Sequence, residues 1–504
     1  MISEIKPKSF RFIFHDYNGF GTQESIQKED IIEKNGCHIF RSKYNFKESS
    51  GDIEKNEDSI ISDAFEILKA AKGSINSYKK NLIVIDNQGK KDEDEDLRDT
   101  FPYYIDDINK TIKTGNYVGV IRYKSEYKGV EATVEIGSRF DKENQSQLFL
   151  SYMISKAFDG MLFPEHSPDS SSENMWELLL SFMFVNQVKE AYKQGLFKAY
   201  RKFEYNDPKV KGTIDVNRHI KINTPFVGNI AYSLREHTHD TYVLHLVRHT
   251  FERLEKKYPK IMEGFAMDDS GVKLSNIKRQ LIEVTNTYNH NNIQSTLFHT
   301  NKRISHPYFN KYEPLRKTCR MILQDMGLNI YDSDLDEQVY GVMININWLW
   351  ENFVGKEIMK EIGFSHINEK TDLLVGDEGT VKKREFDFIK EKVMVIDSKY
   401  KPRWQGPEWS KLSNDIYQVL SYMFIAGVKK GGVIFPSTEN AINRYNIKVD
   451  FVKDSDYFFY TIPVEIPKVK EGLSQLTAEE FRKKMKDSIE KITKYSDNKD
   501  IFSL

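Results

Sequence analysis

The stretch VMVIDSKY, at residues 393–400, decides the fold of the carboxyl-terminal part of the chain. Four apolar residues followed by an aspartate are typical of a buried β-strand. The stretch KREFDFI (383–389) has a similar character and is separated from it by only three charged residues, so the two predict an antiparallel hairpin. Residues two apart on a strand share a face, so Asp397 and Lys399 project together, and Asp387 on the partner strand lies beside them.

The segments around this hairpin alternate between helix and strand. Residues 334–362 predict one long helix that ends at Gly363, where a left-handed backbone suits glycine. Residues 413–426 predict a second helix with Ser413 as its N-cap, and residues 433–435 predict a buried strand. This order of helix, strand pair, helix and strand indicates an α/β fold.

The chain is long enough for about three domains at roughly 150 residues each. Residues 1–150 alternate short β-rich runs with polar connections and predict a β-rich N-terminal domain. Its clearest strands are predicted at 81–86, 117–123 and 131–136. Residues 151–330 have mainly helical periodicity and predict a helical middle region, and residues 331–504 form the α/β domain.

The overall charge excludes a polycation that binds nucleic acid by bulk attraction, because 74 Lys and Arg balance 75 Asp and Glu. The local charge differs: residues 382–411 contain nine Lys and Arg against five Asp and Glu, which suits a phosphate backbone. The cysteines, Cys37 and Cys319, are too few for a disulfide framework or a thiolate zinc site. No apolar run is long enough to cross a bilayer, so we expect a cytoplasmic protein without a membrane partner.

Two carboxylates and an ammonium at one sheet edge suit the chemistry of phosphate esters. Asp387 and Asp397 offer hard oxygen ligands for Mg²⁺, and Lys399 could orient a water or stabilise developing charge. Glu351, in the apolar helix segment WLWENFV, is a third candidate metal ligand. Gln418 lies one helical turn before a tyrosine and is a candidate catalytic residue on the following helix. The alternative is a surface ion pair at a strand end, but an aspartate that ends a buried strand needs a compensating partner.

These residues carry a resemblance to a known nuclease core. Glu351 on a helix, EFD at 385–387, VIDSKYK at 395–401 and DIYQVLSY at 415–422 resemble the PD-(D/E)xK restriction-endonuclease-like core. More specifically they resemble the McrC family, the nuclease subunits of McrBC modification-dependent (type IV) restriction systems. The similarity extends over residues 175–465 and is strongest over residues 345–436.

The resemblance implies a Mg²⁺-dependent DNA endonuclease that acts in antiviral defence on methylated double-stranded DNA. The two catalytic carboxylates of the family fall on Asp387 and Asp397, and its lysine falls on Lys399. The resemblance also implies a McrB-like AAA+ GTPase ring as partner, contacted by residues 1–150, with DNA contact in residues 151–330. The chain has no G-x-x-x-x-G-K-[ST] motif, so GTP would be bound by the partner.

Three other interpretations stay open at this point. The chain could be a non-catalytic adaptor that regulates an AAA+ ring, although an adaptor has no need for the Asp–Asp–Lys set. It could also be a nuclease that acts without a partner. Finally, four histidines lie within thirteen residues, and imidazoles at this spacing can bind zinc, but neighbouring arginines would repel a cation. The four are His237, His239, His245 and His249.

Overall fold

A computed structural model of the chain divides into two compact units, Met1–Glu173 with Glu337–Leu504, and Asn174–Asp336. Within the residues it describes, no helix combines the length and apolarity needed to cross a lipid bilayer. The described residues are 8–18, 25–26, 30–34, 36–46, 55–77, 82–85, 102–125, 129–141, 147–157, 172–259, 262, 273–325, 337–366, 371–376, 379–384, 386–401, 412–448, 456–468, 476–498 and 502.

The amino-terminal part is rich in strands, as the sequence predicts. Its elements are β1 (Lys8–His15), β2 (Ile31–Lys34), β3 (Cys37–Arg41), α1 (Lys55–Ser77), β4 (Leu82–Ile85), β5 (Tyr103–Asp106), β6 (Thr111–Thr114), β7 (Tyr117–Ser125), β8 (Val130–Gly137), a short 3₁₀ helix (Arg139–Asp141) and α2 (Leu148–Ala157). The predicted strands at 81–86, 117–123 and 131–136 are confirmed as β4, β7 and β8. Buried Phe10, Phe12 and Phe14 alternate with half-buried residues along β1, which is the period of a strand with one face in the core.

The second unit is mainly helical and also contains a small antiparallel sheet with strand order β10-β11-β9. Its elements are α3 (Ser172–Lys193), β9 (Ala199–Asp207), β10 (Thr213–Ile214), α4 (Val216–Ile222), β11 (Ile230–Thr238), α5 (Tyr242–Lys257), α6 (Leu274–Val284), α7 (Ile293–His299) and α8 (Tyr312–Asp325). The helix α5 buries Leu244, Val247, Phe251 and Leu254, which share one face at helical spacing. That apolar face forms the centre of the unit.

The carboxyl-terminal part alternates strands and helices. Its elements are β12 (Glu337–Asn345), α9 (Ile346–Val354) followed by a π-helical turn (Gly355–Met359), β13 (Thr371–Gly376), β14 (Gly379–Arg384), β15 (Phe388–Lys390), β16 (Met394–Ser398), α10 (Ser413–Ala426), β17 (Lys430–Ser437), β18 (Asn443–Asn446), β19 (Phe458–Glu465) and α11 (Ala478–Asn498). The helix α10 has the predicted bounds, but Leu412 occupies the N-cap position that we predicted for Ser413. The predicted strand at 433–435 lies inside β17.

The prediction of one long helix over residues 334–362 is wrong. Residues 337–345 form β12, and Asn345 then caps α9 by accepting hydrogen bonds from the amides of Asn347 and Trp348. The strand is favoured by its neighbours, because β12 pairs along its whole length with β7 and also with β4. Helix propensity is weak beside such tertiary pairing. The predicted end of the helical segment is confirmed, since Gly363 has a φ of +80°.

A mixed seven-stranded sheet unites the amino-terminal strands with β12, in the order β2-β3-β1-β8-β7-β12-β4. Its two central neighbours β1 and β8 run parallel, so their carboxyl ends meet at the same edge. The face of this sheet that carries the β1 phenylalanines packs on α1 through Ala64, Phe65 and Leu68. The sheet therefore brings the residues just after β1 and β8 together, which matters for the site described below.

A second, five-stranded sheet carries the predicted hairpin, in the order β15-β16-β17-β19-β18. Strands β16, β17 and β19 run parallel, and β15 and β18 are antiparallel at the two edges. The helix α10 covers this sheet with Val419, Tyr422 and Met423. The close approach favours Gly431, because a Cβ there would lie 2.6 Å from Cγ of Met423 and 2.8 Å from Cγ1 of Val419.

Candidate active site

The hairpin of β15 and β16 places two carboxylates side by side. Its register pairs Phe388 with Ile396, so Asp387 lies opposite Asp397, as the sequence predicts. Asp387 sits in a bend just before β15 and not within a continuous strand over 383–389. The amide and the hydroxyl of Ser398 donate to Oδ2 of Asp387 at 2.7 and 2.9 Å. The carboxylate of Asp387 thus accepts the hydrogen bond from the Ser398 amide in place of a backbone carbonyl of the sheet. The bend thus fixes the orientation of one candidate ligand.

Lys399 follows β16 directly and lies between the hairpin and α10. Its Nζ is 2.8 Å from Oδ2 of Asp397 and donates to Oε1 of Gln418 at 3.0 Å. The amide nitrogen of Gln418 donates in turn to the hydroxyl of Tyr422 at 2.7 Å, one turn along the helix. The structure therefore brings Asp387, Asp397, Lys399 and Gln418 into one group, and Tyr422 supports it from the helix.

The charges of this group have little access to solvent, since Asp397 is buried and Asp387 and Lys399 are half-buried. Asp397 is 1% exposed, and its Oδ1 accepts no hydrogen bond from any residue that the structure describes. Burial, together with the negative charges of Asp397 and Glu351, raises the pKa of Asp387 to about 7. Burial also raises the pKa of Asp397, although the ammonium of Lys399 opposes this effect.

The lysine stays protonated in this environment. Burial opposes its charge, but the carboxylates of Asp397 and Asp387 outweigh that effect and raise the pKa of Lys399 above its usual value. An ammonium with a raised pKa donates hydrogen bonds and stabilises negative charge, and it does not accept a proton at neutral pH.

Glu351 lies on α9, close enough for its charge to raise the pKa of both aspartates. Its Oε1 is bound to Nε2 of His366 at 2.7 Å. His366 also packs against the ring of Phe388, the residue after Asp387, with ring centroids 5.5 Å apart. The structure thus places Glu351 beside the group but engages it with a histidine that the sequence interpretation did not include.

The residues present fit a hard divalent cation. Mg²⁺ is usually held by one or two carboxylates, with water and substrate oxygens completing its shell. Asp387 and Asp397 supply two such carboxylates, and the free Oδ1 of Asp397 is the kind of buried acceptor that a cation would satisfy. In the described part of the chain, including this site, no group of three His, Cys, Asp or Glu side chains is placed to hold a metal ion. Two carboxylates are thus the core of the candidate site.

Some residues of the site were not singled out from the sequence. Ser398 donates hydrogen bonds to Asp387, and Lys401 forms an ion pair with Asp415 at 2.9 Å. The negative charge of Asp415 also contributes to the raised pKa values of Asp397 and Lys399. The sequence carried a partial signal for all three, because Ser398 and Lys401 lie within VIDSKYK (395–401) and Asp415 begins DIYQVLSY (415–422). Their roles depend on how the hairpin meets α10.

The histidines of the middle unit have structural partners. His245 lies 2.5 Å from a carboxylate oxygen of Asp240, and His249 is hydrogen-bonded to the hydroxyl of Tyr288 at 2.9 Å. Burial lowers the pKa of His249 to about 4. Both imidazoles therefore have protein partners, and no group of three His, Cys, Asp or Glu side chains in the described residues is placed to hold a metal.

Comparison with known proteins matches residues 112–436 to the family described as McrBC, 5-methylcytosine restriction system component. The chain also resembles a refined half-complex from a tetradecameric assembly of Thermococcus gammatolerans McrB AAA+ hexamers with bound McrC, with 12% identity, a TM-score of 0.40, and coverage of 88% of this chain and 97% of that one. The cryo-EM structure of the T. gammatolerans McrBC complex matches with 11% identity, a TM-score of 0.24, and coverage of 59% and 80%. Curated proteins give no significant match. Because the family match spans well over half of the sequence, the chain belongs to the family of McrBC 5-methylcytosine restriction system components.

Proposed function

We propose that the chain is the McrC-type nuclease subunit of a McrBC restriction system, a Mg²⁺-dependent endonuclease with a PD-(D/E)xK core. It would hydrolyse phosphodiester bonds in methylated foreign DNA in the cytoplasm. The observation that carries this proposal is the half-buried Asp387 beside the buried Asp397, with the ammonium of Lys399 2.8 Å from Asp397. Two carboxylates side by side with little access to solvent are unfavourable when both are ionised, and the single ammonium of Lys399 offsets only one of the two charges.

Asp387 and Asp397 would hold the cation, with Glu351 as a third candidate once it is released from His366. A bound Mg²⁺ supplies positive charge at the scissile phosphate and lowers the pKa of a water. The chain contributes orientation: Ser398 fixes Asp387 through two hydrogen bonds. Pre-oriented ligands need no rearrangement when substrate arrives.

Lys399 would act as a hydrogen-bond donor and positive charge toward a phosphate oxygen. Its raised pKa supports this role, because an ammonium that keeps its protons stabilises developing negative charge. Gln418 holds the ammonium from α10, and Tyr422 holds Gln418. This chain of hydrogen bonds would keep Lys399 in place before the DNA binds.

In the proposed system, a McrB-like AAA+ ring binds GTP, and this chain stimulates its hydrolysis. Membership of the family of McrBC restriction system components supports such a partner. Residues 1–150 are proposed to contact the ring, and residues 151–330 to contact double-stranded DNA. Because the sequence has no P-loop motif, the nucleotide would stay on the partner.

The test combines the full chain with the McrB-like GTPase from the same organism, GTP, Mg²⁺ and a methylated plasmid. Cleavage is expected for the wild type and for Asp456→Asn, an exposed aspartate outside the site. Cleavage is expected to fall by at least about a thousandfold for Asp397→Asn, since it removes a proposed metal ligand.

Each other outcome has a distinct meaning. Cleavage that persists in Asp397→Asn contradicts the assignment of the site. Stimulated GTP hydrolysis without cleavage by any version of the chain supports the adaptor instead. Full cleavage without the ring supports a nuclease that acts alone.

A further inference from the structure

Tyr400, the residue after Lys399, is held by residues that lie about 260 positions earlier in the sequence. Its hydroxyl and that of Ser138 are 2.7 Å apart, and both side chains are buried. Its backbone carbonyl accepts a hydrogen bond from Nη2 of Arg139 at 2.7 Å. Two consecutive residues after β8 therefore hold both the side chain and the main chain of Tyr400.

The guanidinium of Arg139 is itself fixed. Its Nε lies 3.3 Å from Oδ2 of Asp16, and the backbone amide of Arg139 donates to Oδ1 of the same carboxylate at 2.6 Å. The guanidinium also lies over the rings of Tyr17 and Tyr400, at 4.5 and 4.9 Å from their centroids. Asp16 follows β1 and is fully buried, so the ends of two neighbouring strands meet at this point.

The position of Tyr400 bears directly on the candidate active site. The amide of Lys399 donates to the carbonyl of Ile434 in β17 at 2.9 Å, which ties Lys399 to the five-stranded sheet. The next residue, Tyr400, is tied through Arg139 to the end of a strand of the seven-stranded sheet. The ring of Tyr400 also contacts Trp350, the neighbour of Glu351, with centroids 6.1 Å apart. A shift of Tyr400 would move Lys399 relative to Asp397.

We infer that Arg139 is a positioning residue for the proposed cleavage reaction. Together with Asp16 and Ser138 it forms an anchor for Tyr400, through which the seven-stranded sheet sets the place of the Lys399 ammonium. Arginine suits this task because its planar group engages a carboxylate, a carbonyl and two aromatic rings at once. The inference rests on the proposed function for its consequence in cleavage, but the anchor itself can be tested without cleavage.

The first measurement is amide hydrogen exchange of the full chain without DNA or partner. For Arg139→Ala we expect about tenfold faster exchange in a peptide that covers Lys399 and Tyr400, which corresponds to the loss of one hydrogen bond to a charged group. Exchange in β19, which does not contact the anchor, should stay unchanged. Arg41→Ala, an exposed arginine of the same seven-stranded sheet, is the matched control and should leave both segments as in the wild type.

The second measurement is cleavage of methylated plasmid with the GTPase ring, GTP and Mg²⁺. Arg139→Ala should lower kcat by about 10- to 100-fold, the range for residues that orient metal-site groups, and leave KM for DNA unchanged. Arg139→Lys keeps a cation and one donor and should recover part of the rate. If Arg139 only stabilised the fold, Arg139→Ala would lower the fraction of protein that is folded and active. The cleavage rate of Arg139→Lys would then follow its melting temperature and not the hydrogen exchange at Tyr400.

The outcomes separate the inference from the proposed function. Wild-type exchange at Tyr400 in Arg139→Ala overturns the inference, as does a raised KM with an unchanged kcat. If the wild type does not cleave DNA, the proposed function fails, while the exchange experiment still decides whether the anchor exists. If Arg139→Ala does not fold, Ser138→Ala provides the same test, with a smaller expected change in the same direction.

Discussion

Replacement of Asp387 by asparagine should stabilise the metal-free protein while it abolishes the proposed activity. Asp387 is half-buried beside the buried Asp397, and its loss of solvation together with this neighbouring charge raises its pKa from 3.8 to about 7. At about 1.4 kcal/mol per pH unit, this difference makes ionisation of Asp387 unfavourable by about 4 kcal/mol in the folded protein. An asparagine at this position keeps an oxygen for the two hydrogen bonds from Ser398 and has no charge.

The sign of the pH dependence follows from the direction of the shift. Because the pKa of Asp387 is higher in the folded than in the unfolded state, the destabilisation is absent below about pH 4 and complete above about pH 7. We therefore expect the free energy of unfolding of Asp387→Asn to be only slightly higher than that of the wild type at pH 4. The advantage should grow to a few kcal/mol at pH 8, since relaxation around the site reduces the full value.

The assay is urea denaturation in the presence of EDTA, with hydrogen exchange of β16 and β17 as the probe of the sheet that carries the site. This probe is needed because the chain forms two compact units, and a single global transition is not assured. Asp456→Asn is the control and should show no stabilisation at any pH. With Mg²⁺ added, the wild type should become more stable and Asp387→Asn should not, so the difference between them narrows.

Two results would refute this reasoning. If Asp387→Asn is no more stable than the wild type at pH 8, the two carboxylates do not repel each other as the structure implies. If the stabilisation is equal at pH 4 and pH 8, it does not arise from ionisation. If Mg²⁺ raises the free energy of unfolding equally in both proteins, Asp387 is not a ligand of the metal.

Three further predictions concern other contacts. Gln418→Leu removes the acceptor for the Lys399 ammonium and should lower plasmid cleavage by about 10- to 100-fold with an unchanged melting temperature, whereas an unchanged rate would show that the contact is dispensable. Asp141→Ala leaves two amides at the start of α2 without their acceptors and should reduce the free energy of unfolding by about 1–2 kcal/mol in chemical denaturation; Asp141→Asn keeps one acceptor oxygen for one of the two amides and should recover only part of this loss. Asp240→Ala leaves His245 and Arg201 without their shared carboxylate partner and should destabilise the middle unit by about 2–3 kcal/mol in chemical denaturation. A loss of stability confined to the other unit would contradict this prediction.

The parts of the fold that the sequence predicted well are those set by local pattern. The helix α10 has the predicted bounds, and the hairpin register brings Asp387 opposite Asp397. Both follow from periodicity over a few residues, with a left-handed Gly427 ending the helix and a short charged turn joining the strands. Such signals need no knowledge of distant neighbours.

The prediction failed where distant strands compete with local preference. Residues 337–345 form β12 because β7 and β4, more than 200 positions earlier, offer backbone partners on both sides. Gly341 is required there, since a Cβ would lie 2.2 Å from the carbonyl of Val120. The one local signal was Asn345, a good N-cap in the middle of the predicted helix.

The sequence by itself determined the chemical identity of the candidate site: Asp397 and Lys399 share a strand face because side chains alternate along a strand. Only the tertiary structure decided their environment. It buried Asp397, joined Lys399 to Gln418, turned Glu351 toward His366, and set Arg139 against Tyr400. The physical reason is that burial, charge repulsion and hydrogen bonds between segments depend on which elements pack together, and no local pattern in this chain records that packing.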